Sequence, residues 1–192
     1  MREKKYRSYR GQVGKKAPNL LKRDFKAREP NMKWATDITE FKVFGQKLYL
    51  SPIMDLFNGE IVSFSLSKSP DFHQVIEMLQ RAFQKIPDDN IHLILHSDQG
   101  WQYQMQPYQK LLRDKGIRQS MSRKGNCYDN CVIENFFGIL KTEFFHNQTF
   151  SSIDNFRNEL SEYIDYYNNR RIRVKLKGLS PVQFRTQSFV LT

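Results

Sequence analysis

Three stretches in the first third of the chain carry apolar residues in the density and alternation of β-strands: MKWATDITEFKVF, QKLYLSPIMDLF and EIVSFSLSK. Gly45-Gln46 separates the first two. Asn58-Gly59, a strong signal for a two-residue hairpin, separates the second two, so an antiparallel three-stranded meander is predicted. The period then changes. Ser69-Pro70 supplies an N-cap with proline at the first helical position, and Phe72, Val75, Ile76, Leu79 and Phe83 recur at helical spacing, predicting a helix to about Lys85. IHLIL reads as a short strand buried on both faces. A second helix is expected over 105–115, stopped by Gly116, followed by a strand at IRQSMS. Asp129 or Asn130 can cap a third helix to about Glu143. A fourth, over about 152–168, is amphipathic through Ile153, Phe156, Leu160, Ile164 and Tyr167, and Ser180-Pro181 opens a last short one. The order β-β-β-α-β-α-β-α-α predicts an α/β fold: a mixed five-stranded sheet, three antiparallel strands then two parallel, flanked by helices. No internal repeat is visible.

Length and composition agree with one core: 192 residues, 39% hydrophobic and 14% aromatic. No apolar run approaches the ~20 residues of a membrane span, so no membrane partner is expected. The first residues are polar and basic, unlike a secretory signal, so the cytoplasm is the expected compartment. The two cysteines, Cys127 and Cys131, are too few for a disulfide framework. With His92 and His96 they could suggest zinc, but two histidines four apart on a strand stand about 13 Å from one another, too far to share one ion.

Charge divides the chain. Residues 1–33 hold 12 Lys/Arg against 3 acids, and the run Arg170 to Lys177 adds five positive charges and no acid; the remainder is net −3. Basic segments flanking a mildly acidic core are the footprint of a polyanion partner. Residues 1–32, with Gly11, Gly14, Pro18 and Pro30 and no clear period, read as a basic arm or linker.

Three acids stand out within the core. Asp37 lies mid-strand in WATDIT, where aspartate is uncommon. Asp98 ends the apolar strand IHLILHSD, and the carboxyl ends of strands are where open α/β sheets build their sites. Glu134 falls on the third helix, between Ile133 and Phe136-Phe137. Buried carboxylates are normally paired or bound to metal. Sixty residues separate Asp37 from Asp98, and 35 separate Asp98 from Glu134.

This spacing resembles the D,D(35)E signature of the superfamily of retroviral integrases and bacterial insertion-sequence transposases. WATDITEF, HSDQGWQY, SRKGNCYDN, ENFFGILKTE, YIDYYNNRR and GLSPVQF are similar, in that order, to stretches of the transposases whose second reading frame encodes the catalytic protein. The resemblance runs from about residue 6 to about 186. It implies an RNase H-like fold, with residues 33–150 as the integrase-type catalytic core and 151–192 as a helical extension with a basic segment. It implies two divalent ions, Mg²⁺ or Mn²⁺, on Asp37, Asp98 and Glu134. It also implies cleavage and strand transfer on DNA, both transposon ends and target, by a homo-oligomer assembled on that DNA, with an upstream-frame DNA-binding protein as a further partner. Hard oxygen ligands suit such ions, and a pair of them serves in-line displacement at phosphorus.

Further residues are candidates for DNA contact. Lys141 follows Glu134 by seven residues, two helical turns, with Gly138 between them on the same face, where a missing side chain lets DNA approach. The polar loop SRKGNCYDN resembles a mobile active-site loop, offering Arg123 and Lys124 to phosphates and Asn126 and Tyr128 to the strand end. Arg170, Arg171 and Arg173 belong to the second basic segment. The CVIEN context of Glu134 departs from relatives with small residues or proline there. Ser97 lacks the G-x-S-x-G context of a serine nucleophile. Two other functions compete: an RNase H-like nuclease that cuts without joining, and a catalytically silent DNA-binding remnant.

Overall fold

The computed structural model describes residues 15–86 and 92–190. Residues 1–14 of the basic arm and the first residue of IHLIL lie outside them. The strands are β1 (Lys33–Thr36), β2 (Thr39–Val43), β3 (Gln46–Asp55), β4 (Ile61–Ser67), β5 (Ile94–Ser97) and β6 (Arg118–Met121). The helices are α1 (Phe72–Phe83), α2 (Gln106–Asp114), α3 (Cys131–Leu140), α4 (Ile153–Asn169) and α5 (Pro181–Val190). β2, β3, β4 and β1 pair antiparallel around β3, while β5 runs parallel to β1 and β6 parallel to β5.

Six strands stand where five were expected because the first predicted strand is interrupted. Thr36 pairs with Ile53 and Thr39 with Leu50, so β1 and β2 keep a single register against β3. In that register Asp37 falls opposite Pro52, which has no N–H to donate, and the ladder breaks there. Thr36 Oγ1 donates to the Pro52 carbonyl at 2.8 Å beside the break. Asp37 is thus a strand residue released from strand pairing.

The sheet alternates cleanly between two cores. Trp34, Ile53, Val62 and Leu95 face α1 and α2, packing with Val75, Met78, Leu79, Tyr103, Tyr108 and Leu112. Ala35, Met54, Ile61 and Phe41 face the other way, against Ile133, Phe136, Leu140, Phe156, Leu160, Ile164 and Tyr167 of α3 and α4. Each buried Leu, Ile or Phe contributes roughly 1.5–3 kcal/mol of transfer free energy, so both faces are held by burial.

Several local details differ from the sequence reading. The cap of α1 is Asp71, whose carboxylate accepts from the Gln74 N–H at 2.9 Å; Ser69 instead donates to Asp71. The tight hairpin is at Phe44-Gly45, both with positive φ, closed by the Val43–Gln46 pair. Asn58-Gly59 sits in a longer connection. Asn58 donates to the Pro181 carbonyl, and a Cβ at Gly59 would stand 2.0 Å from the Arg173 guanidinium, so the glycine serves close packing. α3 ends at Leu140 and passes into a π-helical turn, Lys141–Phe145. α5 is capped by Ser180, whose hydroxyl accepts from the Gln183 N–H while Gln183 accepts from the Ser180 N–H. Arg185 of α5 pairs with Glu60 at 2.6 Å and Asp55 at 3.6 Å, fastening the C-terminal segment to the β3–β4 connection. No helix among the described residues is long and apolar enough to cross a membrane.

Residues 18–20 lie along the β6 edge. Met121 N–H donates to the Pro18 carbonyl, Leu20 N–H to Ser120 Oγ, and Leu21 is buried. Lys33 donates to Asp24 and to the Lys26 carbonyl.

Candidate active site

Parallel pairing brings the two aspartates together. Ala35 is in register with His96, and that register, continued past the ends of both strands, brings Asp98 to the same end of the sheet as Asp37. Both lie just past the carboxyl ends of their strands. Asp37 Oδ1 accepts from the Ile38 N–H at 2.7 Å, and Asp98 Oδ1 from the Gly100 N–H at 2.8 Å. A Cβ at Gly100 would meet that Asp98 oxygen at 2.9 Å, so the turn is fitted closely to the carboxylate.

The third acid arrives on α3. Ile133, Phe136, Phe137 and Leu140 face the core, which leaves Glu134 and Gly138 exposed along the opposite stripe. Glu134 is therefore on the solvent face of the helix and not among its apolar neighbours. Asn130 stands at the N-cap position of α3 but makes no capping bond. Its amide donates to Asp37 Oδ2 at 3.0 Å, tying the start of the helix to the first aspartate.

Electrostatics reports the proximity of all three. Burial, with the charges of Asp98 and Glu134, pushes the Asp37 carboxyl up to about 7, against the hydrogen bonds from Ile38 and Asn130. Burial likewise raises Asp98, opposed by the Gly100 N–H. Among the described residues no Lys, Arg or His forms an ion pair with any of the three. Hard oxygen donors that repel one another and lack a protein cation are the donor chemistry a divalent ion satisfies. Also among the described residues, no group of three or more His, Cys, Asp or Glu is gathered tightly enough to hold a metal as it stands. The Glu134 side chain is exposed and has no side-chain hydrogen bond among the described residues. The zinc alternative finds no support in the geometry: His92 is exposed, while His96 is buried between Ser120 and the Asp129 carbonyl.

The residues singled out for DNA contact divide in two. Lys124 and Tyr128 are exposed on the loop, Tyr128 with 67% of its surface open. Lys141 is half-buried, its ammonium 5.8 Å from the Phe41 ring. Gly138 is exposed with nothing within 4 Å of a built Cβ and no positive φ, so neither packing nor backbone geometry requires glycine there. Arg170 is exposed, 3.7 Å from Asp165. The others are engaged within the protein. Arg123 makes a two-pronged bond to Asp129 at 2.9 Å each, and Asn126 accepts from Arg23. Arg171 is paired with Glu143, and Arg173 lies over the Tyr167 ring and donates toward the Asn58 carbonyl.

Four contributors escaped the sequence reading: Asn130 as a partner of Asp37, His96, Asp129 as an acceptor, and Arg23. Each acts through a partner distant in sequence; Asn130 and Asp37, for instance, are 93 residues apart.

Known proteins bear on this geometry. Two models of the integrase core domain match, over residues 27–127 and 134–189. A putative transposase, InsK, of insertion sequence element IS150 in Escherichia coli K12 is 57% identical over 187 residues, 97% of this chain and 66% of the relative. A transposase-like protein of Haemophilus influenzae is 56% identical over 184 residues, 96% of this chain and 84% of that protein. The chain thus spans about two thirds of the length of the first. Among solved structures, a simian T-cell lymphotropic virus intasome bound to a phosphatase regulatory subunit superposes with a TM-score of 0.69 at 21% identity, covering 93% of this chain and 60% of its own. The HTLV-2 integrase catalytic core in complex with magnesium gives 0.64 at 18%, covering 83% and 99%. The structural matches share the fold, which is RNase H-like, and the sequence matches share far more: this chain belongs to the integrase core domain family, in the branch found in insertion-sequence transposases.

Proposed function

We propose that the chain is a DNA strand-cleaving and strand-joining core, with residues 33–150 as the catalytic unit, 151–192 as its helical extension, and Asp37, Asp98 and Glu134 as the ligands of two divalent ions, Mg²⁺ or Mn²⁺. The observation that carries this reading is the register-matched pair Asp37 and Asp98, facing Glu134 with no cationic partner among the described residues. The HTLV-2 integrase core of the same fold was solved with magnesium, in keeping with that donor set. Held by Asp37, Asp98 and Glu134, the ions would supply activation of the attacking oxygen, from water in cleavage and from a DNA 3′-hydroxyl in joining, and stabilisation of the leaving oxygen.

The chain's own residues do the positioning. Asn130 holds one oxygen of Asp37 in place. The bare backbone at Gly138 allows close approach of a DNA strand to the stripe bearing Glu134, and Lys141 supplies a phosphate contact at its end. Lys124, Tyr128 and Arg170 are open to further contact, whereas Arg123, Asn126, Arg171 and Arg173 support DNA binding through the segments they hold. The working form is an oligomer on DNA, and an upstream DNA-binding segment or partner protein supplies base recognition.

Incubating the chain with labelled transposon-end and target duplexes in Mg²⁺ or Mn²⁺ tests the reading. It predicts nicked ends and joined products; nicking without joining would favour a nuclease, and metal-independent binding alone a silent remnant.

A further inference from the structure

Asp129 is a fully buried carboxylate reached by two separate parts of the chain. From the loop, Arg123 donates through its backbone N–H at 3.0 Å and through both prongs of its guanidinium at 2.9 Å. From more than a hundred residues upstream, Asn19 and Arg23 each donate at 3.0 Å. The Arg123 guanidinium and burial act oppositely on this acid, and the hydrogen bonds prevail, holding it well below the usual carboxylate range. Arg23 also donates to Asn126 Oδ1 and lies 5.6 Å from the centre of the Tyr128 ring.

A second thread runs through the same residue. The Asp129 carbonyl can only accept, so His96 Nε2 carries the proton in their 2.8 Å bond and Nδ1 accepts from the Ser120 hydroxyl at 2.7 Å. Ser120 Oγ in turn accepts from the Leu20 N–H at 2.9 Å. Segment 19–23 therefore reaches Asp129 by side chains and, through β6 and β5, by a relay of hydrogen bonds. The next residue is Asn130, which holds Asp37, and the Glu134 N–H donates to the Asn130 carbonyl at 3.3 Å.

We propose that Asp129 is a positioning residue: the clamp formed by Asn19, Arg23 and Arg123 on its carboxylate fixes loop 122–130, and through Asn130 and the start of α3 sets Asp37 and Glu134 for metal. This rests on the metal-site reading above. On this account part of the basic upstream segment is a component of the active site. Its Arg23 charge is used on the protein's own carboxylate.

The experiment measures hydrogen–deuterium exchange at the Arg123, Asn126 and Asp129 amides, and Mn²⁺ affinity by calorimetry, in the full 192-residue chain. Asn19→Ala combined with Arg23→Ala removes the upstream half of the clamp without altering the buried acid, so the test does not depend on whether Asp129→Asn folds. The expected result is exchange about tenfold faster at those three amides, since hydrogen bonds to charged groups are lost, with β5 and α1 unchanged. Mn²⁺ affinity falls as well, toward the ~10-fold loss typical of removing an outer partner of a ligand, and Arg23→Lys with Asn19 intact recovers part of both. Normal loop exchange in the double variant, or a loosened loop with undiminished Mn²⁺ binding, would overturn the proposal. Asp98→Asn serves as the control: it should remove Mn²⁺ binding and leave loop exchange as it was. If Asp98→Asn still bound Mn²⁺ normally, the metal site itself would be wrongly assigned and the proposal would fall with it.

Discussion

Asp129 and Asp37 are joined by one asparagine and treated in opposite ways. Asn130 follows Asp129 in the chain and donates to Asp37. Asp129 is buried with two guanidinium groups and an amide on its oxygens, and its carboxyl is pushed down. Asp37 is half-buried with a backbone N–H and one amide, feels the charges of two further acids, and is pushed up to about 7. The contrast separates two uses of a buried acid. Where charge is structural, the fold supplies the cation itself. Where it does not, among the described residues, the unmet demand is the one the proposed metal would answer.

The sharpest way to break the comparison is chemical. Asp98→Asn should abolish cleavage and joining in Mg²⁺ while DNA binding persists, as measured by product formation and filter binding. Near-normal activity would mean that the unpaired acids are not ligands.

Stability should respond with opposite sign at the two sites. Asp129→Asn weakens charge-assisted hydrogen bonds and should destabilise by about 2 kcal/mol at pH 7. Asp37→Asn should stabilise the metal-free protein above pH 7, by up to about 4 kcal/mol on the shift from 3.8 to about 7. The sign follows from linkage. A carboxyl raised in the folded state binds its proton more tightly there, so its destabilising effect is absent below about 3.8, grows through that window and is complete above 7. Thermal melts without metal should accordingly show the wild type losing more stability between pH 5 and pH 8 than Asp37→Asn does. Equal losses would remove the electrostatic basis of the comparison.

How far the sequence alone reveals this depends on distance along the chain. Alternation is enough to mark MKWATDITEFKVF and QKLYLSPIMDLF as strands, because strand period is local, and the structure then shows Trp34 and Ile53 on one face and Ala35 and Met54 on the other. The pairing of Asp37 with Asp98 followed from spacing and resemblance, and the register between β1 and β5 gives its physical basis. The break at Asp37 was hidden, since it arises from Pro52 across the sheet. Asp129 reads as a helix cap because short polar residues before a helix usually are; besides Arg123 nearby, its partners Asn19 and Arg23 lie 110 and 106 residues away. Glu134 was read among apolar neighbours, whereas helical phase turns it to solvent. Arg173 was counted with the DNA-facing charges, and only the cleft above Gly59 shows where its guanidinium rests.

Smaller effects sharpen the DNA side. Duplex affinity should fall steeply with salt, by ~0.9 in log K per phosphate neutralised. Removing residues 1–14 should flatten that slope, whereas a cut beyond Asn19 should also weaken Mn²⁺ binding, because it takes away the partners of Asp129. Lys141→Ala should lower affinity for a cleaved end while shifting stability by no more than ~0.5 kcal/mol. Unchanged end binding would return Lys141 to a role in packing against Phe41.

The central claim is that Asp37, Asp98 and Glu134 form a site for divalent metal, and Mn²⁺ titration by calorimetry at pH 8 tests it most directly. The account predicts saturable binding to the wild type, weaker binding at pH 6 where protons compete at Asp37, and none in Asp98→Asn. Binding that is identical in wild type and Asp98→Asn, or independent of pH between 6 and 8, would contradict it.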